Sequence, residues 1–184
     1  MERLMKVAIV LLISKMSFGQ ENDASDKGKF RFRSIEAGFG FYESTYKERI
    51  NSSGHSGIDL SVRTSFSLKR NIFSLDLKLG EEVSFFGGGD SFYAVNLLYG
   101  RQWDLAAWFA IETHSGLGVF ANSRYDVSGD FGRDTKTEES LGVPIDLKFM
   151  LYPKGFTIGL NPGVNFNSIG NTFYGNLIFQ YNFN

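Results

Sequence analysis

The last residues of the chain alternate between large apolar side chains and mostly polar ones. Every second position up to the penultimate residue is apolar: Leu177, Phe179, Tyr181 and Phe183. Because successive side chains of an extended strand point to opposite faces, this segment predicts a strand with one apolar and one polar face. The same alternation recurs in about eight places, and helical periodicity is absent after residue 19. The pattern therefore predicts an all-β fold.

The alternating segments divide the chain into eight predicted strands. They span about residues 31–46, 57–69, 72–86, 91–101, 105–120, 140–152, 155–167 and 173–184. Short connections such as Arg101–Asp104 alternate with others that include the two long ones, Lys47–Ser56 and Ala121–Glu139. Outer-membrane barrels have short periplasmic turns and longer external loops, and an even strand number leaves both termini periplasmic. We therefore predict an all-β, eight-stranded antiparallel up-and-down transmembrane β-barrel.

The volume of the side chains indicates which face of the barrel points outward. One track holds mostly Phe, Leu, Ile, Val and Tyr, whereas the opposite track is rich in Gly, Ser and Ala. The interior of an eight-stranded barrel is just wide enough for side chains to fill, so it cannot hold that many large ones. The apolar track is therefore predicted to face lipid. Aromatic residues near the strand ends, among them Phe92 and Phe120 at the outer end, are typical of two interfacial girdles.

Two prolines interrupt the predicted strands. Pro144 lies in the sixth strand and Pro162 in the seventh. Because proline has no backbone N–H to donate to a neighbouring strand, we expect a local bulge near each of them.

Residues 1–19 have the features of a secretory signal peptide. Arg3 and Lys6 precede a short apolar core, Val7–Ile13, which is far shorter than the ~20 residues of a spanning helix. We predict cleavage before Gln20, since small residues stand at the two positions that a signal peptidase requires. The predicted organisation is a signal peptide at 1–19, a short periplasmic segment at 20–30 and an outer-membrane barrel at 31–184.

Charge and cysteine content exclude several classes of function. The signal peptide carries a net charge of +2, so the formal charge of −1 for the whole chain becomes about −3 for the mature chain. This balance gives no reason to expect nucleic-acid binding. With no cysteine, the chain forms no disulfide, carries no lipid on a cysteine and performs no thiol chemistry.

The signal peptide, the eight alternating strands, the aromatic last strand and the absence of cysteine resemble small outer-membrane barrels of the OmpA/OmpX type. The Ser-Phe-Gly-Gln cleavage context and the Phe-, Gly- and Asn-rich strands are similar to the porin-like barrel proteins of Bacteroidota. The resemblance is architectural and covers nearly the whole mature chain. It implies residence in the outer membrane of a Gram-negative cell, contact with outer-membrane lipids, and contact with the barrel-assembly machinery during insertion. The terminal aromatic residue of such families stands here at Phe183, one position before the end.

The polar track carries charged residues of both signs at similar depths. They form the predicted polar core of the lumen: Glu36, Asp59, Arg63, Asp76, Lys78, Glu112, His114, Asp146 and Lys148. Because an unpaired buried charge is costly, we expect these charges to pair in a narrow interior filled by side chains. A path for ions or protons is the alternative, but eight strands are too few for a solute-sized channel.

No cluster of residues specifies a reaction, and we predict no catalytic residue, cofactor or metal site. Glu112, His114 and Ser115 approach a hydrolase set by residue type, but Ser115 falls on the opposite face of the strand. A His-to-Ser relay needs hydrogen-bond reach, which neighbours on opposite faces lack. We interpret His55, in the first long connection, as exposed. An outer-membrane lipid-modifying enzyme and a secreted soluble barrel with an apolar ligand stay as alternatives.

The second long connection is the strongest candidate for recognising a partner. It mixes aromatic residues with both signs of charge: Arg124, Tyr125, Asp126, Phe131, Arg133 and Lys136. Function in many folds lies in loops held by a rigid frame, and this composition suits a protein surface. The sequence therefore predicts a non-enzymatic barrel with a plugged polar lumen. It would act as a structural or accessory subunit, or bind another outer-membrane or surface protein.

Overall fold

A computed structural model describes residues 29–46, 55–83, 89–126, 134–152 and 155–183 of the chain. The predicted signal peptide, most of the segment at 20–30 and parts of both long connections lie outside these residues. Eight strands make up nearly all of the described chain. They are β1 (Arg31–Tyr46), β2 (His55–Leu68), β3 (Asn71–Glu82), β4 (Ser91–Ala106), β5 (Phe109–Asp126), β6 (Asp134–Leu151), β7 (Phe156–Asn167) and β8 (Gly170–Asn182).

The strands form one closed antiparallel barrel in which each strand pairs with its neighbours in sequence. β1 also pairs with β8, from Ser34 opposite Asn182 to Tyr46 opposite Gly170. The predicted eight-stranded up-and-down barrel is thus confirmed. We call the end that carries both termini the terminal rim, and the opposite end, where β1 joins β2 and β5 joins β6, the loop rim. No α-helix within the described residues is long and apolar enough to cross a bilayer.

The barrel distributes its side chains in the reverse of the order found in water-soluble proteins. The outer wall exposes large apolar residues such as Leu97, which is 69% exposed, and Leu117, which is 68% exposed. The interior buries charged residues, and Arg63 is only 1% exposed. Charged side chains are almost never fully buried without a partner, and soluble monomers rarely expose apolar surfaces of this extent. A lipid environment around the wall accounts for both observations.

Apolar side chains pack inside the barrel toward each rim. The cluster toward the loop rim contains Tyr42, Phe92, Ala94, Phe120 and Tyr174. The cluster toward the terminal rim contains Ala110, Met150 and Ile178. The two clusters therefore lie on either side of the charged middle section of the interior.

Phe92 and Phe120 point into the barrel, and their prediction as members of the outer girdle is wrong. They are 5% and 1% exposed, and their rings stack with centroids 5.3 Å apart. The interior has room for the Phe92 ring because Gly80 lies opposite it on β3, and a Cβ at Gly80 would collide with that ring.

The hairpin between β4 and β5 lies further along the chain than predicted. β4 continues through Arg101–Asp104 to Ala106, so Leu105 belongs to β4 and not to the fifth strand. The polar residues there suggested a turn, but strand pairing continues through Trp103 opposite Ile111. The register then shifts between Asp104 and Ala106.

The predicted bulges at the two prolines are also wrong. Pro144 stays opposite Asn165 in the pairing of β6 with β7, and the register does not shift there. Pro162 stays opposite Gly175 in the pairing of β7 with β8, again without a shift. Each proline withholds one ladder donor without inserting an extra residue.

Candidate functional site

One arginine organises the charges in the middle of the interior. Arg63 projects from β2, and its Nε donates a hydrogen bond to Asp76 Oδ1 on β3 at 2.9 Å. Its Nη2 donates to Asp146 on β6, which is four strands away in a ring of eight and therefore on the opposite side. Glu36 Oε1 lies 4.0 Å from Arg63 Nε. Three carboxylates thus surround one buried guanidinium, and one of the contacts spans the lumen.

A second group of charges lies nearer the terminal rim. The ammonium of Lys148 on β6 donates to the Glu36 carboxylate on β1. Lys148 Nζ also lies 4.0 Å from Glu112 Oε2 on β5. Because Glu36 approaches both Lys148 and Arg63, it links this group to the arginine centre.

Arg33 completes the second group, although the sequence analysis did not place it in the lumen. Its Nη2 donates to the Glu112 carboxylate and to the side-chain oxygen of Gln102. Strict alternation puts Arg33 on the same track as Ile35, which faces outward. The register of β1 against β2 shifts between Phe32 and Ser34, and this irregularity lets Arg33 reach the interior.

Asp59 and Lys78 lie on the loop-rim side of the arginine centre. Asn176 Nδ2 on β8 donates to Asp59 Oδ2 at 2.8 Å. Lys78 Nζ lies 3.8 Å from the centroid of the Tyr174 ring, a favourable position for a cation over an aromatic face. The Tyr174 hydroxyl donates to the Asp146 carboxylate. Tyr174 thus joins the polar centre to the apolar cluster, a role that residue type alone did not reveal.

His114 is buried in the lumen and does not form a hydrolase relay with its neighbours. Its Nε2 lies 3.8 Å from Glu112 Oε2, and neither ring nitrogen has a hydrogen-bond partner within the described residues. Ser115 is exposed on the outer wall, on the other face of β5. Gly100 leaves the space that the imidazole occupies, since a Cβ there would collide with the ring.

The structure places all nine residues of the predicted polar core inside the barrel, each at most 3% exposed. They are Glu36, Asp59, Arg63, Asp76, Lys78, Glu112, His114, Asp146 and Lys148. Five of them are carboxylates, and with Arg33 the cationic groups number four. Arg63, Lys148 and Arg33 contact carboxylates, whereas Lys78 Nζ has no hydrogen-bond partner within the described residues and Asp59 is bonded to Asn176.

β5 and β6 extend beyond their neighbours at the loop rim. β4 pairs with β5 only as far as Ser91 opposite Ser123, and β7 pairs with β6 only as far as Asn167 opposite Gly142. β5 and β6 stay paired with each other out to Asp126 opposite Asp134. Residues 123–126 and 134–139 therefore form a projecting two-stranded segment, the β5–β6 ribbon. Among the described residues, the pairing of β6 with β7 begins at Gly142 opposite Asn167, three positions beyond the end of the ribbon.

The predicted partner-binding loop is largely this ribbon, which corrects the sequence analysis. Arg124, Tyr125 and Asp126 lie in β5, and Lys136 lies in β6. Phe131 and Arg133 lie outside the described residues. The sequence of the ribbon lacks the alternation of large apolar and polar residues that marks the other strands.

Side-chain contacts connect the two strands of the ribbon and tie it to the wall. Glu138 lies 2.9 Å from Lys136 Nζ and 3.7 Å from Arg124 Nη2. The hydrogen bond from Lys136, with the nearby charge of Arg124, lowers the pKa of Glu138. The Tyr93 hydroxyl on β4 donates to Glu139 Oε1 at 3.2 Å. The ribbon thus presents both signs of charge beside a strand edge.

No protein-family model matches the chain, and no curated protein matches it. Its fold is similar to that of Neisserial surface protein A, with a TM-score of 0.64 at 11% identity over 82% of this chain and 97% of that one. Ail, the attachment invasion locus protein of Yersinia pestis, gives 0.55 at 11% identity over 82% and 99%. The N-terminal β-barrel domain of Pseudomonas aeruginosa OprF gives 0.55 at 11% identity over 84% and 100%. The fold is therefore that of the small eight-stranded outer-membrane barrels.

Proposed function

We propose that the protein is a non-enzymatic integral barrel of the outer membrane, with a closed interior, that binds another surface or outer-membrane protein through the β5–β6 ribbon. The single observation that carries the binding role is that β5 and β6 stay paired out to Asp126 opposite Asp134, beyond the ends of their ladders with β4 and β7. Membrane residence, closure of the lumen and the absence of catalysis each have separate support.

The outer wall supports membrane residence. Near the terminal rim, exposed aromatic rings contact each other across strands: Phe32 and Phe183 have centroids 4.8 Å apart, and Phe73 and Tyr99 have centroids 5.6 Å apart. Aromatic belts of this kind mark the membrane interfaces of outer-membrane barrels. Export through a signal peptide at 1–19 is part of the same proposal.

The interior supports a closed barrel rather than a pore. The contact between Arg63 and Asp146 crosses the lumen, and apolar clusters pack toward both rims. A path for a solute would have to separate these buried charges, which costs several kcal/mol for each unpaired ion. We therefore assign the polar core a structural role.

The positions of the reactive side chains favour a non-enzymatic role over lipid modification. A lipid-modifying enzyme needs its catalytic groups to reach lipid at the wall. Glu112 and His114 face the interior, whereas Ser115 faces outward, so these three residues supply no relay. The other alternative, a soluble barrel with an apolar ligand, needs an apolar interior cavity. Here charged side chains occupy the middle of the barrel.

The edge of the ribbon suits an extended segment of another protein. An open strand edge presents a row of backbone N–H and C=O groups that template the pairing of a further strand. Backbone pairing supplies the affinity, and alternate side chains supply the specificity. On β6, Thr137 and Glu139 lie on one face, and Lys136 and Glu138 lie on the other. The name of Ail, a barrel with this fold, refers to attachment, which agrees with a surface-interaction role.

The proposal is tested by removing the ribbon without disturbing the wall. Residues 123–137 are replaced by Asn-Gly, which joins Asn122 to Glu138, already opposite each other in the register, through a two-residue turn. The partner is captured with a photoreactive side chain at Thr137 in detergent-solubilised outer membranes, followed by mapping of the crosslinked peptide. We expect a crosslink to an extended segment, and we expect the shortened protein to lose the partner in pull-downs.

Two controls keep the test specific. A photoreactive side chain at Leu117, on the wall, should not give the same crosslink. Replacement of residues 48–53 by a short Gly/Ser segment should leave partner recovery unchanged. Equal recovery of the partner by the ribbon-shortened barrel would show that the contact runs through the wall, and would overturn the proposal.

A further inference from the structure

One imidazole and two carboxylates converge at the loop rim. His55 begins β2, Glu82 ends β3 and Asp90 directly precedes β4. One ligand atom from each lies within 4.8 Å of the others. Our interpretation of His55 as an exposed residue is wrong, because it is 8% exposed. It lies opposite Ser44 in the first pair of β2 with β1, which turns it toward the interior.

Hydrogen bonds hold the three residues in place. The backbone N–H of Glu82 donates to the carbonyl oxygen of Asp90 at 2.8 Å, and the N–H of Asp90 donates to Glu82 Oε2 at 3.0 Å. Glu82 Oε1 lies 3.1 Å from His55 Nδ1. The end of β3 and the start of β4 are thus fastened together beside the imidazole, and the side chains are preorganised.

We propose that His55, Glu82 and Asp90 bind a divalent transition-metal ion, with Zn²⁺ as the preferred ion. One imidazole nitrogen and two carboxylate oxygens are donors that suit Zn²⁺, whereas Ca²⁺ takes oxygen ligands alone. Tetrahedral Zn²⁺ with bonds of about 2.0–2.1 Å holds its ligand atoms roughly 3.4 Å apart. Atoms that already lie within 4.8 Å therefore need to close by little more than about 1 Å.

Three protein ligands leave one coordination position for water or for a group from outside. His55 and Asp90 are buried, but the Glu82 side chain is 25% exposed, so the site opens toward solvent at the rim. The ion would connect β2 to the β3–β4 connection and stabilise this part of the loop rim. The site is separate from the β5–β6 ribbon, so this inference does not depend on the proposed partner role.

The test uses the mature chain, refolded in detergent and freed of metal with a chelator. Zn²⁺ binding is measured by calorimetry, and thermal unfolding is followed at rising Zn²⁺ concentration. We expect one ion for each chain and a Tm that rises with Zn²⁺, as mass action requires for an ion that binds the folded state. Co²⁺ substitution should give the absorption bands of a site with nitrogen and oxygen ligands.

The site variants are His55→Gln and Asp90→Asn, and the matched control is Glu81→Gln. Glu81 neighbours Glu82 in sequence but points outward and is exposed. Each site variant should weaken Zn²⁺ binding at least about 100-fold. Mutation of residues that only hydrogen-bond to metal ligands already lowers metal affinity about 10–100-fold. The control Glu81→Gln should bind Zn²⁺ with the same affinity as the unchanged protein. If His55→Gln fails to refold, the Zn²⁺ affinity of Asp90→Asn and the Co²⁺ spectrum test whether the three residues bind the ion.

Three results would overturn the inference. One is an unchanged Tm and no measurable heat up to millimolar Zn²⁺, which would leave the three residues as a hydrogen-bonded fastening of the rim. Another is equal Zn²⁺ affinity in Asp90→Asn and the unchanged chain. Tighter binding of Ca²⁺ than of Zn²⁺ would also contradict it, because His55 would then not be a ligand.

Discussion

Arg63 and Asp146 meet in the middle of the barrel, although they project from strands on opposite sides of it. Both side chains are buried, and Asp76 accepts a second hydrogen bond from the same guanidinium at 2.9 Å. The contact links β2, β3 and β6 through one planar group. An arginine suits this position because its rigid fork of donors can serve two carboxylates at once.

Substitution of Arg63 by Met should destabilise the barrel strongly. The change keeps an elongated apolar side chain but leaves the carboxylates of Asp76 and Asp146 without their cation. Removing one partner of a buried ion pair typically costs about 3–5 kcal/mol of folding free energy. Urea unfolding in lipid vesicles, compared with the unchanged protein, measures the loss.

The matched control removes the stranded charges together with the cation. In Arg63→Met combined with Asp76→Asn and Asp146→Asn, much of the lost stability should return, because the two carboxylates that Arg63 bonded are replaced by neutral amides. A single Arg63→Met variant that unfolds at the same urea concentration as the unchanged chain would refute the buried pairing.

The free-energy cost of placing Arg on the lipid-facing track of β6 should depend on the depth of the residue in the bilayer. Ile145 lies about midway along the wall, where Arg costs about 2–4 kcal/mol in barrels of this kind. Glu139 lies on the same track at the base of the ribbon, where the cost of Arg falls to about 0–1 kcal/mol. Folding yields of Ile145→Arg and Glu139→Arg into vesicles provide the comparison. Similar yields for the two variants would mean that β6 does not cross lipid as described.

An added methyl group should change the stability of the barrel in opposite directions at Gly80 on β3 and at Gly175 on β8. A Cβ at Gly80 would collide with the Phe92 ring, whereas a Cβ at Gly175 would meet nothing within 4 Å. Gly80→Ala should therefore cost about 1–3 kcal/mol through overpacking. Gly175→Ala should be neutral or stabilise by up to about 1 kcal/mol, since it restricts the unfolded chain. Equilibrium unfolding of both variants checks the pair, and a harmless Gly80→Ala would argue against Phe92 inside the barrel.

The ring of Phe183 should contribute to closure of the barrel between β1 and β8. It contacts Phe32 on β1, and its backbone N–H donates to the carbonyl oxygen of Arg33 at 2.8 Å. Aromatic pairs are worth about 0.5–1.5 kcal/mol beyond the area they bury. Phe183→Ala should therefore lose more stability than Leu177→Ala on the same track of β8. If Leu177→Ala loses more stability than Phe183→Ala in urea unfolding, the ring has no role in closure.

Alternation in the sequence predicted the strands of the wall because each of them has one apolar and one polar face. For the same reason, it placed the nine polar-core residues on the inner track. Residues 123–126 and 134–139 of the β5–β6 ribbon do not alternate between apolar and polar types, so the sequence did not predict strands there. Inside the membrane, lipid imposes the pattern, whereas the projecting ribbon is free of that constraint.

Contacts across the lumen depend on closure and register, which the sequence does not state. Alternation placed Arg63 and Asp146 on the inner track, but only the closed ring shows that they meet. A register shift beside Arg33 brought a side chain inward that strict alternation had placed outside. His55 and Glu82 are 27 positions apart, so no local spacing suggested a shared site.

Conductance of the purified, refolded protein in planar lipid bilayers tests the closed outer-membrane barrel most directly. The protein should insert, because its wall is apolar. If the barrel is closed as proposed, it should show no stable solute-sized conductance, because the Arg63–Asp146 contact crosses the lumen and apolar clusters lie on either side of it. A large, stable open conductance from the unchanged protein would contradict the structural role of the polar core and establish a channel instead.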